Sequence, residues 1–251
     1  MYLSIILPYF KKKKYIKRTL NSIIGQSFNK QELIIIYDQV DRSDIPYIKK
    51  ILENKIKYKI IQNNRNLGVG KSRNIGIKKS KGKFIAFCDA DDVWHKKKLE
   101  IQLKIMREKK LNFSHTSYDL INTNNKTIGH MKVKKILDYN DLLKSCDIAL
   151  SSVIIRRSIL KKSFKFGHTK TKEDYLLWLK ISKTLKIYGI NKKLLQWRKT
   201  KNSLSSSTLQ KFYDAFNVYN QIENKNFFIT CFYVFRLSIY YIIKKIRQKI
   251  F

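Results

Sequence analysis

Residues 3–37 read LSIILPYFKKKKYIKRTLNSIIGQSFNKQELIIIY, and this stretch decides the fold class. Runs of β-forming apolar residues at 3–7 and 33–37 predict strands buried on both faces, which is typical of a parallel sheet. Between them, apolar residues recur at helical spacing from 15 to 24, so a helix connects the strands. Pro8 lacks a backbone N–H and is expected to end the first strand. This order predicts a βαβ unit and therefore an α/β protein.

The same alternation continues to about residue 110. Strands are predicted at 58–61 and 84–88, and helices at 45–52, 71–79 and 98–106. A repeated βα order predicts a doubly wound, mostly parallel central sheet with flanking helices. Ligands bind such sheets at the carboxyl ends of the strands.

Beyond residue 111 the pattern changes. A hairpin is predicted from the strand at 113–121 and the turn at 122–126, followed by a strand at 152–156 and a helix at 173–184. Two short strands at 186–190 and 194–198 precede helices from residue 209 onward. Because no linker interrupts the chain, we expect one domain over 1–205, with a nucleotide-binding half (1–110) and an acceptor-side half (111–205). Residues 206–251 form a helical carboxyl-terminal appendage.

Composition narrows the function classes. Apolar residues make up 43% of the chain, which is enough for a core and excludes intrinsic disorder. Fifty-four Lys and Arg against eighteen Asp and Glu give a net charge of +36, which points to nucleic acid, an anionic membrane or phosphorylated substrates. Three cysteines are too few for a disulfide framework or a cysteine zinc site. The first apolar run precedes the lysines at 11–14, so no secretory signal and a cytoplasmic location are expected.

One apolar stretch, at 227–243, suggests a membrane contact. It contains Arg236 and runs into basic residues, and it is short for a membrane span. One interpretation is a helix lying at the bilayer surface with its basic end on anionic headgroups. The other is a helix that covers the protein core. The sequence leaves both open.

An acidic cluster follows the strand at 84–88. Asp89, Asp91 and Asp92 lie within four residues, and such carboxylates repel one another unless a cation is bound. A hard divalent ion, completed by phosphate oxygens, would relieve that repulsion. The alternative is an acidic cap, with Asp92 opening the next helix. This alternative accounts for one aspartate and not for three.

A glycine turn precedes the helix at 71–79. Residues 66–74 read NLGVGKSRN, but Arg65 stands where a phosphate loop needs glycine, and Arg73 stands where a dinucleotide fingerprint needs its third glycine. What is left is a helix amino terminus carrying Lys71 and Arg73, which is a suitable diphosphate site.

Four stretches together resemble an inverting family 2 glycosyltransferase of the GT-A fold. They read SIILPYF at 4–10, GKSRNIG at 70–76, GKFIAFCDADDVW at 82–94 and KEDYLLWLKI at 172–181. The match covers about residues 1–205, including WRKTKNSLS at 197–205. It is similar in detail to teichuronic-acid-type and other envelope-polysaccharide members.

On the donor side, the resemblance implies that Pro8 and Tyr9 line the nucleobase pocket. It implies that Asp38 accepts a hydrogen bond from the base, that Arg73 faces the base or the diphosphate, and that Asp89 contacts the ribose. The usual Asp-Asp-Gly-Ser turn reads YDQV at 37–40, which leaves the donor identity open.

For catalysis, the resemblance implies that Asp91 binds the Mg²⁺ or Mn²⁺ that bridges the diphosphate, and that Asp174 is the general base. Many members carry a histidine where this chain has Thr200, so Arg198 or Lys201 is expected to contact the diphosphate instead. Displacing a nucleoside diphosphate needs charge neutralisation and a carboxylate that takes the acceptor proton. Without the resemblance, Asp174 reads as a helix amino-terminal charge.

The implied function is transfer of a hexosyl group from a nucleotide-diphospho-sugar, by resemblance a UDP-sugar, to a saccharide or polyprenyl-linked acceptor in cell-envelope polysaccharide synthesis. The expected location is the cytoplasm, peripheral on the cytosolic face of the inner membrane, with an anionic membrane surface as a partner. Two alternatives stay open: an inactive homologue, and a basic nucleic-acid-binding α/β protein. No RNA- or DNA-binding motif is present and the acidic cluster would repel phosphate, so no nucleic acid partner is expected.

Overall fold

The computed structural model describes residues 2–160, 164–167, 169, 171–200, 208–222 and 226–250. The first half contains four parallel strands that alternate with three helices. In chain order these are β1 (Leu3–Tyr9), α1 (Lys13–Ile24), β2 (Gln31–Tyr37), α2 (Ile45–Leu52), β3 (Tyr58–Gln62), α3 (Val69–Lys79) and β4 (Phe84–Phe87). The strands lie in the order β3-β2-β1-β4, as expected for a doubly wound unit.

The second half extends the same sheet. Its elements are β5 (Val93–Trp94), α4 (Lys98–Glu108), β6 (Phe113–Ile121), β7 (Thr127–Met131), β8 (Ile136–Leu137), α5 (Tyr139–Lys144), β9 (Ile154–Arg156), α6 (Glu173–Ser182), β10 (Ile187–Arg198), α7 (Thr208–Ile222) and α8 (Phe227–Ile250). The sheet continues from β4 through β9, β6 and β10 to β5, and β9 is antiparallel to both of its neighbours. The α/β class, with a mixed sheet and flanking helices, is confirmed.

Two predictions about strands were wrong in detail. The strands predicted at 186–190 and 194–198 are one strand, β10, whose pairing with β6 shifts register on both sides of Lys193. β1 does not end at Pro8 but continues to Tyr9, paired with β2. The Ile6 carbonyl accepts the Cys88 N–H, and Pro8, two residues on, faces the same side, just beyond the end of β4. Because β4 has already ended at that position, the missing N–H of Pro8 costs the sheet no hydrogen bond.

The core lies on both faces of the sheet. One buried cluster joins β1 and β2 to α1, α2 and α4, and the other joins the opposite face to α5, α6 and α7. In α7, Val218 and Tyr219 are fully buried, and the Tyr219 hydroxyl lies 2.8 Å from that of Tyr175 on α6. The carboxyl-terminal helices thus share a core with the rest of the chain. The predicted boundary at 205 lies outside the described residues, so the division into domains stays a prediction.

Candidate active site

The acidic loop after β4 lies at the carboxyl end of the parallel strands and is held from two sides. The Ser151 hydroxyl accepts the Asp89 N–H at 2.9 Å and donates to the Asp92 carboxylate at 2.6 Å. From α1, the Thr19 hydroxyl donates to the Ala90 carbonyl at 3.1 Å. These bonds fix the loop in place. Ser151, far away in the sequence, carried no signal that could have marked it.

Asp92 is a structural anchor. Its side chain is buried and accepts a second hydrogen bond from the backbone N–H of Arg198, at 2.8 Å, so that it joins the loop to the end of β10. Burial, with the charges of Asp91 and Asp89, raises its pKa well above the ordinary value. The idea that Asp92 opens the next helix is wrong, because α4 begins at Lys98.

Asp91 forms an ion pair with a lysine in the structure. The Lys12 ammonium, from the loop before α1, donates to its carboxylate at 2.5 Å. Burial raises the pKa of Asp91, and the Lys12 charge opposes that shift. The carboxylate therefore lies where a cation offsets its desolvation. The sequence did not identify Lys12 as a site residue, because it is one of four consecutive lysines.

The donor set at Asp91 fits a metal that is shared with a substrate. Among the described residues, no cluster of three or more His, Cys, Asp or Glu side chains is placed to hold a metal by itself. Mg²⁺ is commonly held by one or two carboxylates together with substrate phosphates. The Lys12 ammonium marks the position where Asp91 accepts a cation. Asp91 thus fits one ligand of an ion that phosphate oxygens complete.

Arg73 connects the two halves of the chain. Its guanidinium is buried and donates from Nη2 to Asp89 at 2.7 Å and from Nη1 to Glu173 on α6. It also lies over the Phe166 ring, 5.3 Å from the centroid. Burial raises the pKa of Glu173 to about 7 against the opposing effect of Arg73. Because both carboxylates engage Arg73, its direct contact with a donor stays a prediction.

Asp174 follows Glu173 in the first turn of α6. Its carboxylate accepts the Tyr175 N–H at 2.8 Å, and no side-chain partner is present among the described residues. Burial raises its pKa, while the Arg73 charge lowers it. A partly exposed carboxylate with a raised pKa is a suitable proton acceptor. Lys172, just before this turn, has a left-handed backbone (φ 61°), a strained conformation that is common at functional sites.

The two predicted nucleobase residues, Pro8 and Tyr9, differ in exposure. Tyr9 is fully buried; its hydroxyl donates to Asp44 at 2.6 Å and its ring stacks on Tyr37. The Tyr9 side chain therefore faces the core in this structure, and the expectation that it lines the nucleobase pocket stays a prediction. Pro8 is partly exposed, and its position in the nucleobase pocket stays a prediction.

Asp38 holds the turn before α3. Its carboxylate accepts hydrogen bonds from Asn63 Nδ2 (2.7 Å) and from the backbone N–H groups of Leu67 (2.8 Å) and Gly68 (2.9 Å). Gly68 has a φ of 83°, which favours glycine. Asp38 is 3% exposed, so its role within this structure is to fix the turn. Its contact with a base stays a prediction.

Arg198 lies behind the acidic loop. Its Nε donates to the Asp91 carbonyl at 2.8 Å and its Nη1 to the Asn122 carbonyl at 2.9 Å, and the guanidinium stacks over Tyr15. It borders a cleft of about 380 Å³ that Lys14, Lys17 and Arg18 also line. Its contact with a diphosphate stays a prediction, and its alternative, Lys201, lies outside the described residues.

The structure thus links Asp89, Asp91, Arg73 and Asp174 through their charges and adds Lys12 and Glu173. This group of residues combines a cation-accepting carboxylate, a buried arginine bridge and a proton-accepting carboxylate. It can neutralise a leaving anion on one side and deprotonate a nucleophile on the other.

The sequence of this chain is similar to that of known proteins over most of its length. The family model described as "Glycosyl transferase family 2" matches residues 4–164. The UDP-Glc:alpha-D-GlcNAc-diphosphoundecaprenol beta-1,3-glucosyltransferase WfgD of Escherichia coli is 33% identical over 88% of this chain and 87% of its own length. The putative teichuronic acid biosynthesis glycosyltransferase TuaG of Bacillus subtilis is 30% identical over 89% of each chain.

Among solved structures, Staphylococcus aureus TarS 1–349 in complex with UDP-GlcNAc superposes with a TM-score of 0.75. The match covers 95% of this chain and 72% of the TarS chain, at 21% identity. At that identity the likeness establishes a shared fold.

Proposed function

The chain belongs to glycosyl transferase family 2 and has the GT-A fold, and on that premise we propose that it transfers a hexosyl group from a UDP-sugar to a lipid-linked saccharide, with inversion, in cell-envelope polysaccharide synthesis. One observation carries the proposal. The cation-accepting Asp91 and the proton-accepting Asp174 lie next to Asp89 and Glu173, the two carboxylates that Arg73 joins. A uridine donor is supported by WfgD, which is named for UDP-Glc, and by TarS, which was solved in complex with UDP-GlcNAc. The name of WfgD also supports a diphosphoundecaprenol-linked acceptor.

Donor binding uses the loop after β4. Asp91 and the donor's phosphate oxygens would hold Mg²⁺ or Mn²⁺, which when bound supplies charge neutralisation on the leaving diphosphate. Lys12, whose side chain is 29% exposed, leaves Asp91 and adds a positive charge near the diphosphate. Asp89 binds the ribose with one oxygen while Arg73 holds the other, and Pro8 contacts the base.

Transfer uses the start of α6. The acceptor hydroxyl oxygen attacks the anomeric carbon from the face opposite the diphosphate, and its proton passes to the Asp174 carboxylate. The bond between the anomeric carbon and the diphosphate oxygen breaks, and its electron pair leaves with the nucleoside diphosphate. Attack from the opposite face inverts the configuration, as in inverting glycoside hydrolysis. Arg73, through Glu173, fixes the position of Asp174 relative to Asp89.

Under this proposal the protein is peripheral on the cytosolic face of the inner membrane, where a polyprenyl-linked acceptor is accessible. Within the described ranges, no helix combines the length and apolarity needed to cross a bilayer. The presence of Asp89, Asp91 and Asp174 favours an active enzyme over an inactive homologue. Nucleic acid is not expected as a partner.

Calorimetric titration of the purified chain with UDP and with GDP, each with and without Mn²⁺, tests the proposal. We expect Mn²⁺-dependent UDP binding that Asp91→Asn abolishes. Asp141→Asn is the matched control, because it breaks another Lys–Asp pair, with Lys134 at 2.7 Å, that does not involve the acidic loop. Binding of GDP in preference to UDP would replace the donor class. Failure of both nucleotides to bind would reject the assignment of Asp89, Asp91 and Arg73 as a donor site.

A further inference from the structure

The helix α8 has two apolar faces. Its inner face packs Tyr233, Val234 and Leu237 against the core cluster of α5, α6 and α7. Arg236 is also turned inward, since its Nη2 donates to the Leu143 carbonyl of α5 at 3.2 Å. The charge that made this segment look costly in a membrane is therefore held by the protein.

The outer face of α8 is a stripe of large apolar side chains. Phe228, Phe232, Phe235, Ile239 and Ile242 follow one another at intervals of four and three residues, which places them on one side of a helix. They are 83%, 58%, 66%, 40% and 57% exposed.

The neighbouring helix α7 also exposes large apolar side chains, namely Leu209, Phe212 and Tyr213. We call these eight side chains the α7–α8 face. From Phe227 to Ile242 the sequence contains one charged residue, the inward-turned Arg236. Apolar patches of this extent on soluble proteins mark interaction sites.

Such a face could bind either a second copy of this chain or a lipid bilayer, and the net charge distinguishes between the two. A second copy of the chain would bring a net charge of +36 against another +36, and like charges oppose association. An anionic bilayer offers both an apolar interior and negative headgroups. The sequence beyond Ile242 adds Lys244, Lys245, Arg247 and Lys249, the composition that binds anionic lipid next to an apolar face.

We infer that the α7–α8 face docks the protein onto an anionic lipid bilayer, with α8 lying in the plane of the membrane surface. The exposed aromatic rings enter the boundary between headgroups and acyl chains, and the basic composition of the sequence after them favours anionic lipid. The inference is consistent with the lipid-linked acceptor of the proposed function, but it rests on the exposure and charge of this face.

Co-sedimentation with vesicles tests the inference without donor or acceptor. The probes are vesicles of phosphatidylcholine alone and of phosphatidylcholine mixed with phosphatidylglycerol. We expect the wild-type chain to pellet with the mixed vesicles and much less with phosphatidylcholine alone. The double variant Phe232→Glu/Phe235→Glu should bind at least about tenfold more weakly. Val40→Glu changes an equally exposed apolar residue outside the face and should bind like wild type.

Phe228→Glu provides a second variant that is safe for folding, because this side chain is 83% exposed. It should also weaken pelleting while the thermal unfolding temperature stays unchanged. Wild-type protein that remains in the supernatant, or variants that pellet as well as wild type, would overturn the inference. A dimer in light scattering that Phe232→Glu/Phe235→Glu dissociates would overturn it in favour of a second copy. UDP titration of the same variants reports separately on the proposed function.

Discussion

The buried Arg73 bridge allows a quantitative test of how the two halves of the chain are joined. Arg73→Met keeps an unbranched chain of similar length and removes both ion pairs. The Asp89 side chain, 30% exposed, regains water, whereas that of Glu173, 8% exposed, does not. Leaving one partner of a buried pair charged costs about 3–5 kcal/mol.

Protonation of Glu173 limits that cost and makes it depend on pH. With Arg73 in place, burial raises the pKa of Glu173 from 4.5 to about 7. Loss of the neighbouring positive charge raises it further. A carboxyl whose pKa is raised by folding loses stability as the pH rises from its unfolded to its folded pKa. Wild type completes this loss near pH 7, whereas Arg73→Met continues to lose about 1.4 kcal/mol per pH unit above it.

The free energy of unfolding, measured in urea, should therefore show a growing difference between wild type and Arg73→Met. Between about pH 7 and about pH 8.5 the difference should increase by about 2 kcal/mol. The double variant Arg73→Met/Glu173→Gln lacks the titrating carboxyl and is the control, so its difference from Arg73→Met should widen over the same interval. A difference between wild type and Arg73→Met that is equal at both pH values would refute the reasoning.

Three other substitutions test separate parts of the structure. Asp174→Asn should reduce kcat by about 10²–10⁴ in a transfer assay and leave UDP affinity unchanged; undiminished turnover would place the base elsewhere. Lys98 is fully buried, and burial lowers its pKa to about 7, so wild type loses stability as the pH falls from about 10.5 to about 7. At neutral pH, Lys98→Met should be more stable than wild type by about 1–3 kcal/mol and should unfold at a higher temperature. A difference in stability that widens towards alkaline pH would contradict this. Gly76→Ala brings a Cβ to 2.5 Å from Ile6 Cγ2 and should cost about 1–3 kcal/mol in urea unfolding, whereas an unchanged midpoint would show that α3 can move away from β1.

The elements up to about residue 110 were predictable because each depends on local pattern. Continuous apolar runs and helical spacing identified β1 to β4 and α1 to α4 within a few residues. The strand end at Pro8 and the break in β10 were wrong, because each depends on which neighbour lies beside the strand. Pro8 is tolerated where β4 has ended, and β10 continues through a register shift along β6.

The candidate site was predictable in part. The three aspartates after a buried strand identified the loop, and the Glu-Asp pair at 173–174 identified the start of α6. Glu173 as the partner of Arg73, Lys12 as the partner of Asp91 and Ser151 as the support of the loop come from distant parts of the chain. No sequence spacing encodes such pairs.

The sequence by itself determined the fold class, the order of the elements from β1 to β4, the family and the acidic loop, because these follow from periodicity and from short contiguous motifs. The tertiary structure alone decided which way the side chains turn. Tyr9 and Asp38 face inward, Asp92 anchors β10, and Arg236 points at α5 while the opposite side of α8 stays exposed. The physical reason is that burial and charge pairing are set by contacts between elements far apart in the chain, and these exist only once the sheet and its helices have packed.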